Sequence, residues 1–414
     1  MIFGRLYDSR ATKGDGMKNW LISLGIFAAA SLSGARAEPA DFERWLDSFR
    51  AEAAAAGISQ SVLDEALTGL SINPRVYELN DNQPEFSRGI WDYLDSAVSA
   101  TRVNNGKEKY LENQRLFTLI ENAYGVDAEI VAAIWGLESS YGAIMGGHDT
   151  IQALATLAFE GRRTGYGRSQ LIGALKIIQH GYAARNELKG SWAGAMGHTQ
   201  FIPTTYLAYA VDHDGDGRRD IWSNLGDVFA STANYLSVSG YRGGDPWGLE
   251  VRLPAGFDYS LADSDIKKAV VEWAASGVEA ISGPGLIERF DPNMRGRLII
   301  PAGARGPAFI VFDNFSAILK YNRSTSYALA VSLLSEEIAG RSGAIVAAWP
   351  RDDRPLSLDE RKALQQALKD RGFDPGPVDG IIGAGTKSAL RAWQKQAGLP
   401  ADGYASASVL DALR

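Results

Sequence analysis

The chain has 414 residues, 45% of them hydrophobic, which exceeds one ordinary domain and leaves room for a full-sized core plus a second small unit. Its 42 basic and 49 acidic side chains leave a net charge of -7, which argues against a protein whose main task is to neutralise nucleic-acid phosphates. With no cysteine and four histidines, disulfides, thiolate nucleophiles, zinc–thiolate and iron–sulfur sites and lipid attachment through cysteine are excluded, and a multi-histidine metal centre is disfavoured.

From Met17 the chain carries one charge at Lys18, an apolar stretch from Trp20 to Phe27, and a small-residue ending at Ala35-Arg36-Ala37 before Glu38-Pro39. These are the three parts of a secretory signal peptide cleaved after Ala37, with residues 1–16 as an upstream start. No other stretch approaches the roughly 20 apolar residues that span a bilayer. An exported, soluble protein is expected.

From Asp41 onward amphipathic stretches alternate with Gly, Pro and Asn punctuation. Helical spacing predicts helices at 41–56, 59–68, 85–100, 108–123, 127–141, 168–184, 225–239 and 324–339. Period-two alternation predicts strands only at 249–253, 297–300 and 309–312. The expected fold is mainly α (α+β), with a small sheet inside a helical domain spanning 38–346. Two prolines bracketing four charges mark 347–356 as a linker. Beyond it Ser357 and Glu360 form a capping box, Leu364 and Leu368 an apolar stripe, and two shorter helices begin near Thr386 and Ser406, which makes 357–414 a second unit.

Val131, Ile134, Trp135 and Glu138 fall at i, i+3, i+4 and i+7, so a carboxylate shares a stripe with apolar side chains. Desolvation of this kind keeps a carboxyl protonated and fits it for general acid work. The plainer reading is a glutamate at the stripe's edge with its head in water, and spacing alone does not choose between them. Ser139-Ser140-Tyr141-Gly142 then supplies hydroxyls and a glycine to end the helix. A small-residue stretch, Ser191 to Gly197, suits a ligand lying against the main chain, or else a tight turn before a helix begun by Pro203. In Asp212-His213-Asp214-Gly215-Asp216-Gly217-Arg218-Arg219-Asp220, acidic oxygens at positions 1, 3, 5 and 9 fold round glycines, as a hard cation such as calcium requires. Ser223 stands where such loops usually carry a glutamate, and an acidic turn held by hydrogen bonds is the alternative.

Trp135 to Gly142, Ser191 to Gln200, and Tyr321-Asn322-Arg323-Ser324-Thr325-Ser326-Tyr327 together, in this order, resemble the membrane-bound lytic transglycosylase B family over residues 40–345. The resemblance implies a lysozyme-like helical domain that cuts the β-1,4 bond between N-acetylmuramic acid and N-acetylglucosamine in peptidoglycan, leaving a 1,6-anhydromuramoyl end. It makes Glu138 the single catalytic residue, acid first and base second. It implies that Ser191 and Asn322 contact the N-acetyl group and reacting centre, and that Gln200, Tyr93, Tyr235, Tyr321 and Tyr327 wall the glycan groove. It also implies calcium ligands at Asp212, Asp214, Asp216, the Arg218 carbonyl and Asp227, the last standing one residue later than the family spacing; such an ion would be structural, and no cofactor is required for the chemistry.

Residues 358–411 resemble the three-helix peptidoglycan-binding domain of wall hydrolases, on Gly376-Pro377-Val378-Asp379-Gly380, Trp393-Gln394 and Asp402-Gly403 among others. The expected partner is the glycan strand, with no nucleic acid and no stable membrane anchor, and the expected compartment is the periplasm. Two rival readings remain: a hydrolase (muramidase) on the same polymer, which needs a second carboxylate and a positioned water, and a catalytically inactive wall-binding protein.

Overall fold

The computed structural model describes residues 39–81 and 89–414, so the export segment lies outside the described residues. The helical body begins with α1 (Pro39–Ala55), α2 (Gln60–Leu67), α3 (Pro74–Asp81), α4 (Ile90–Ala97), α5 (Ala100–Glu112), α6 (Gln114–Tyr124) and α7 (Ala128–Ser139). A two-residue strand β1 (His148–Asp149) leads into α8 (Thr150–Phe159) and α9 (Thr164–Gln179), and pairs antiparallel with β2 (Lys189–Gly190). Next come α10 (Pro203–Tyr209) and α11 (Leu225–Val238). The centre of this body is α7, whose Ile130, Val131, Ala132, Ala133, Ile134 and Trp135 are all buried. Phe117 of α6 stacks on Phe229 of α11 at 4.3 Å, and Phe229 in turn meets Trp135 at 5.0 Å, so aromatic packing joins three helices.

A five-stranded antiparallel sheet follows, built from β3 (Gly248–Arg252), β4 (Lys268–Ala269), β5 (Glu279–Ala280), β6 (Arg295–Ile299) and β7 (Ala308–Val311) in the order β4-β6-β7-β3-β5. Leu249 pairs with Ile310, and Ile310 with Leu298, which fixes the register of the central strands. The sheet has its own core with α12 (Val270–Ala275) and α13 (Leu286–Arg289), where the fully buried Trp273 donates its indole N–H to the Gly296 carbonyl at 2.9 Å. Such a buried indole must find an acceptor. The chain then returns to the helical body as α14 (Asp313–Tyr321) and α15 (Thr325–Ile338). Asn314 stitches that return by accepting from Arg242 N and donating to the Arg242 and Asp245 carbonyls, so the sheet is inserted between α11 and α14 without disturbing their packing.

The last unit is α16 (Leu358–Asp370), α17 (Ala384–Gln396) and α18 (Ala407–Leu413) around Leu364, Leu368, Leu390 and Trp393. Its capping box is as read: Ser357 Oγ accepts from Glu360 N and Ser357 N donates to the Glu360 carboxylate. The preceding stretch is packed rather than extended into solvent. Trp349 lies against Trp91, Arg351 makes a two-point contact with Asp95 at 2.8 and 3.0 Å, and buried Asp353 accepts from Ser408.

Sequence and structure differ in instructive places. The stretch expected as one helix at 108–123 is two, because Asn113 leaves helical geometry and bonds its side chain back to the Lys109 carbonyl. The helix at 150–159 has no amphipathic stripe in the sequence, because Ile151, Ala153, Leu154, Ala155, Leu157 and Ala158 are all buried.

Candidate active site

Glu138 is the penultimate residue of α7, is only partly covered, and lines a cleft of about 360 Å³. The helix ends abruptly after it. Ser140 (φ 51°) and Tyr141 (φ 59°) both adopt left-handed backbone before Gly142 (φ 87°). This corrects the expectation that Gly142 itself ends the helix: the stop is two residues earlier and costs strain, of order 1–3 kcal/mol per residue. Tyr141 is held there by its hydroxyl, which donates to the Arg102 carbonyl at 2.9 Å, and by edge-on packing against Trp135 at 5.4 Å. Gly136 is small for the same reason, since a Cβ there would lie 2.5 Å from the Tyr141 ring. Ser139 Oγ lies 3.3 Å from the Trp135 carbonyl and accepts from Gly142 N. The hydroxyls of Ser139 and Tyr141 therefore serve the turn.

The stretch from Ser191 brings Ala195 and Gln200 into the cleft lining, while Ser191 itself is not among the lining residues. Ser191 N donates to the Ala195 carbonyl at 2.8 Å and Ser191 Oγ accepts from Ala195 N at 3.0 Å. Its glycines are small because the protein packs against them: a Cβ on Gly190 would meet the Ala195 carbonyl, and one on Gly197 the Ile221 carbonyl. The stretch does end at a helix begun by proline, α10, with Ile202 as its N-cap. Gln200 is a third left-handed non-glycine residue (φ 58°), and its amide donates to the Met145 and Gly197 carbonyls. Its Oε1 is buried without a hydrogen-bond partner among the described residues.

Gln200, Tyr235, Tyr321 and Asn322 line the cleft with Glu138. Tyr235 donates to the Lys320 carbonyl at 2.6 Å and Tyr321 to the Thr199 carbonyl at 2.5 Å, so both rings are fixed by backbone acceptors. Tyr93 and Tyr327 stand behind the carboxylate rather than in the wall of the cleft. Burial, and then the charge of Glu138, pushes both phenols well above their usual value, which keeps them protonated beside the acid. Tyr327 lies parallel to Tyr321 at 6.4 Å. Among the described residues lining the cleft, Glu138 is the one carboxylate.

In the acidic loop, carboxylate oxygens of Asp212, Asp214 and Asp227 come within 4.8 Å of one another. Asp227 is fully buried in the first turn of α11, where it accepts from His213 N at 2.7 Å and Asp220 N at 2.6 Å. Burial pushes its carboxyl up, and the charges of Asp214 and Asp212 add to the effect. Asp216 stands outside this grouping and accepts from Arg218 N, while the Arg218 side chain pairs with Glu187 at 2.6 Å. A hard cation would relieve three converging carboxylates.

Several cleft residues were not foreseen. Tyr166 and Gln170, four apart on α9, anchor the wall: Tyr166 donates to the Ala193 carbonyl, and Gln170 Oε1 accepts from Thr204 N. Lys320 and Arg323 flank the expected pair Tyr321-Asn322 and line the same cleft. The i, i+4 spacing of Tyr166 and Gln170 was a usable signal, but an amphipathic surface helix carries the same one.

The chain matches the model of the transglycosylase SLT domain over residues 41–336 and that of a putative peptidoglycan-binding domain over residues 357–413. It is 30% identical over 298 residues to the membrane-bound lytic murein transglycosylase B of Escherichia coli (strain K12), which covers 68% of this chain and 79% of that protein. It is similar to SltB3 from Pseudomonas aeruginosa, solved in complex with NAG-anhNAM-pentapeptide and with NAG-NAM-pentapeptide, at a TM-score of 0.86 and 52% identity over 90% of this chain and 99% of that one. The Escherichia coli lytic transglycosylase Slt35, solved in complex with calcium, aligns at a TM-score of 0.61 and 29% identity over 74% of this chain and 95% of that one.

Proposed function

The chain belongs to the transglycosylase SLT-domain family and is a peptidoglycan lytic transglycosylase that leaves 1,6-anhydromuramoyl ends, and from that premise we propose that Glu138 supplies both the acid and the base. The observation that carries this reading is that, among the described residues, one carboxylate lines the cleft. A two-carboxylate hydrolase needs a second acid to activate water or to attack the sugar. Here the Glu138 carboxyl gives its proton to the glycosidic oxygen as the bond from C1 breaks, and the acetamido oxygen of the muramoyl residue stabilises C1. The Glu138 carboxylate then takes the proton of the C6 hydroxyl as O6 closes on C1, and no water is added. Tyr93 and Tyr327 act as donors that steady the carboxylate between these steps.

Ser191 and Asn322 orient the N-acetyl group. Ser191 Oγ accepts from Ala195 N, which leaves its O–H to donate to the acetamido oxygen. The unpartnered Gln200 Oε1 accepts from a sugar N–H or O–H, and Tyr235 and Tyr321 pack against sugar faces. The test is digestion of purified peptidoglycan by the native enzyme and by Glu138→Gln. The native enzyme yields anhydromuropeptides by mass and the variant loses at least about 100-fold in rate, the usual scale of acid–base catalysis. A product carrying one added water would overturn the lyase assignment, and an active variant would remove Glu138 from its role.

Asp212, Asp214 and Asp227, with Asp216 and the Arg218 carbonyl completing the set, are proposed to hold calcium. The grouping of three carboxylates and the calcium complex of the related Slt35 support it. Bound there, calcium would supply stiffness to the loop, and no chemistry. Residues 38–346 are the proposed catalytic domain, 347–356 the linker and 357–414 the wall-binding module. We place the enzyme in the periplasm, where its polymer lies, exported through the segment ending at Ala37. No helix among the described residues is long and apolar enough to cross a membrane.

A further inference from the structure

Among the described residues, two cations share the cleft with Glu138, in a protein whose net charge is -7. Lys320 and Arg323 bracket Tyr321-Asn322, and both side chains are exposed. Among the described residues neither belongs to an ion pair, and the one acid lining the cleft is Glu138. The glycan does not account for them. Its hydroxyls and acetamides are neutral, and polar neutral groups such as Gln200, Asn322 and the tyrosines already meet that need. The anionic part of the polymer is the peptide stem carried on the muramoyl lactyl group, whose carboxylates are the charged groups nearest the scissile bond.

The backbone around Arg323 is fixed while its head is free. Tyr235 holds the Lys320 carbonyl, Tyr321 reaches across to the Thr199 carbonyl, and Asn322 Oδ1 accepts from Ser324 N at 3.1 Å. Ser324 in turn caps α15 by accepting from Tyr327 N, so the positive end of a 14-residue helix begins beside Arg323. Lys320 is partly committed, since its Nζ donates to the Ser239 carbonyl at 2.7 Å and it lies in the last turn of α14, where a cation also balances the helix dipole. The Arg323 guanidinium donates no hydrogen bond among the described residues, and its planar fork matches a carboxylate at two points.

We propose that Arg323, supported by the charge of Lys320, is a subsite for a carboxylate of the peptide stem, so that the enzyme selects stem-bearing glycan. This rests on the transglycosylase reading of the same cleft, and the test separates the two. Three substrates are compared with the full chain: intact purified peptidoglycan, the same material with its stem carboxylates converted to amides, and strands stripped of stems by an amidase. Formation of anhydromuramoyl ends is followed by mass. The native enzyme is expected to act about ten-fold faster on free carboxylates than on amides, the scale of one charge-assisted pair. In Arg323→Gln that ratio falls about five-fold or more, chiefly through KM, and Arg323→Lys keeps only part of it, because the charge remains while the two-point fork is lost. Raising salt should shrink the native ratio.

A native ratio of one overturns the subsite, as does an Arg323→Gln variant that slows all three substrates by the same factor. Binding gives the same comparison without turnover. Soluble muropeptides with free or amidated stems are titrated into Glu138→Gln with and without Arg323→Gln. Absence of anhydro ends from every substrate would sink the transglycosylase reading, while the binding ratio would still decide the subsite.

Discussion

The indole N–H of Trp135 donates to Nδ1 of His198 at 2.8 Å, and Nε2 of the same ring lies 3.1 Å from the Trp222 carbonyl. Because Nδ1 accepts, the ring proton sits on Nε2 and is given to Trp222, so His198 is neutral and of one tautomer. The ring ties α7, one turn before Glu138, to the segment that follows the acidic loop. It also explains Gly142, where a Cβ would strike the imidazole.

Burial pushes the His198 imidazole below its ordinary value of 6.5, against an opposing pull from the Trp222 carbonyl and Asp220. The unfolded chain therefore binds the proton first as pH falls, and stability contributed by this histidine is present above about 6.5 and lost as pH drops toward the lower folded value. Melting temperatures measured from pH 7.5 to 5 should fall less steeply in His198→Gln than in the native protein. Equal slopes would show that His198 does not carry this part of the acid sensitivity.

Gly136→Ala tests the turn after Glu138. Alanine favours a helix interior over glycine by about 1 kcal/mol, so propensity alone predicts a gain. The added Cβ would lie 2.5 Å from the Tyr141 ring, which is pinned by the Arg102 carbonyl and Trp135 and has nowhere to move. Overpacking of that kind costs roughly 1–3 kcal/mol, so a net loss of stability is expected on calorimetry. Activity should fall as well, because Ser140 and Tyr141 set the end of the helix that carries Glu138. A stabilised and fully active variant would mean the left-handed turn is not needed.

Much of this was legible because it is periodic or chemically marked. Helical spacing placed Glu138 on the apolar stripe of α7, and alternation found β3, β6 and β7 within a residue or two of their bounds. The left-handed turn was not legible, since Tyr141 is held there by a carbonyl distant in sequence and an indole a turn away. His198 carried no signal for the same reason: its partners are 63 residues before it and 24 after. Asp402-Gly403 was legible as a turn but not as a docking point.

Asp402 has two jobs. Its Oδ1 accepts from Gln394 Nε2 at 2.7 Å and Tyr404 N at 2.9 Å within the C-terminal module, and its Oδ2 accepts from Ala304 N at 2.8 Å on the sheet side. Gly303 is needed there, because a Cβ would lie 2.6 Å from Oδ2. Asp402→Asn keeps one acceptor and turns the other into a donor facing an N–H, which costs about 1–3 kcal/mol of docking. Lys387 with Asp263 at 3.6 Å, and Arg391 to the Ala262 carbonyl at 3.3 Å, remain. Faster proteolysis within 347–356 and slower digestion of intact wall are expected, with little change on soluble muropeptides. Unchanged proteolysis would mean the other contacts suffice to hold the module.

Calcium should raise the melting temperature of the native enzyme, and the rise should vanish in Asp227→Asn. Saturation to about one hundred times Kd contributes about 2.7 kcal/mol by mass action. Asp227 is the discriminating position because it is buried with its carboxyl pushed up by burial and by the charges of Asp214 and Asp212, a cost that a bound cation would relieve. The ligand must be ionised to bind, so the calcium-induced rise should also shrink as pH is lowered toward the carboxylate range. A rise of equal size in the variant would move the site away from Asp227. No rise at millimolar calcium would leave the loop as an acidic turn, held by the backbone N–H groups of Gly215, Asp216 and Gly217 on Asp212.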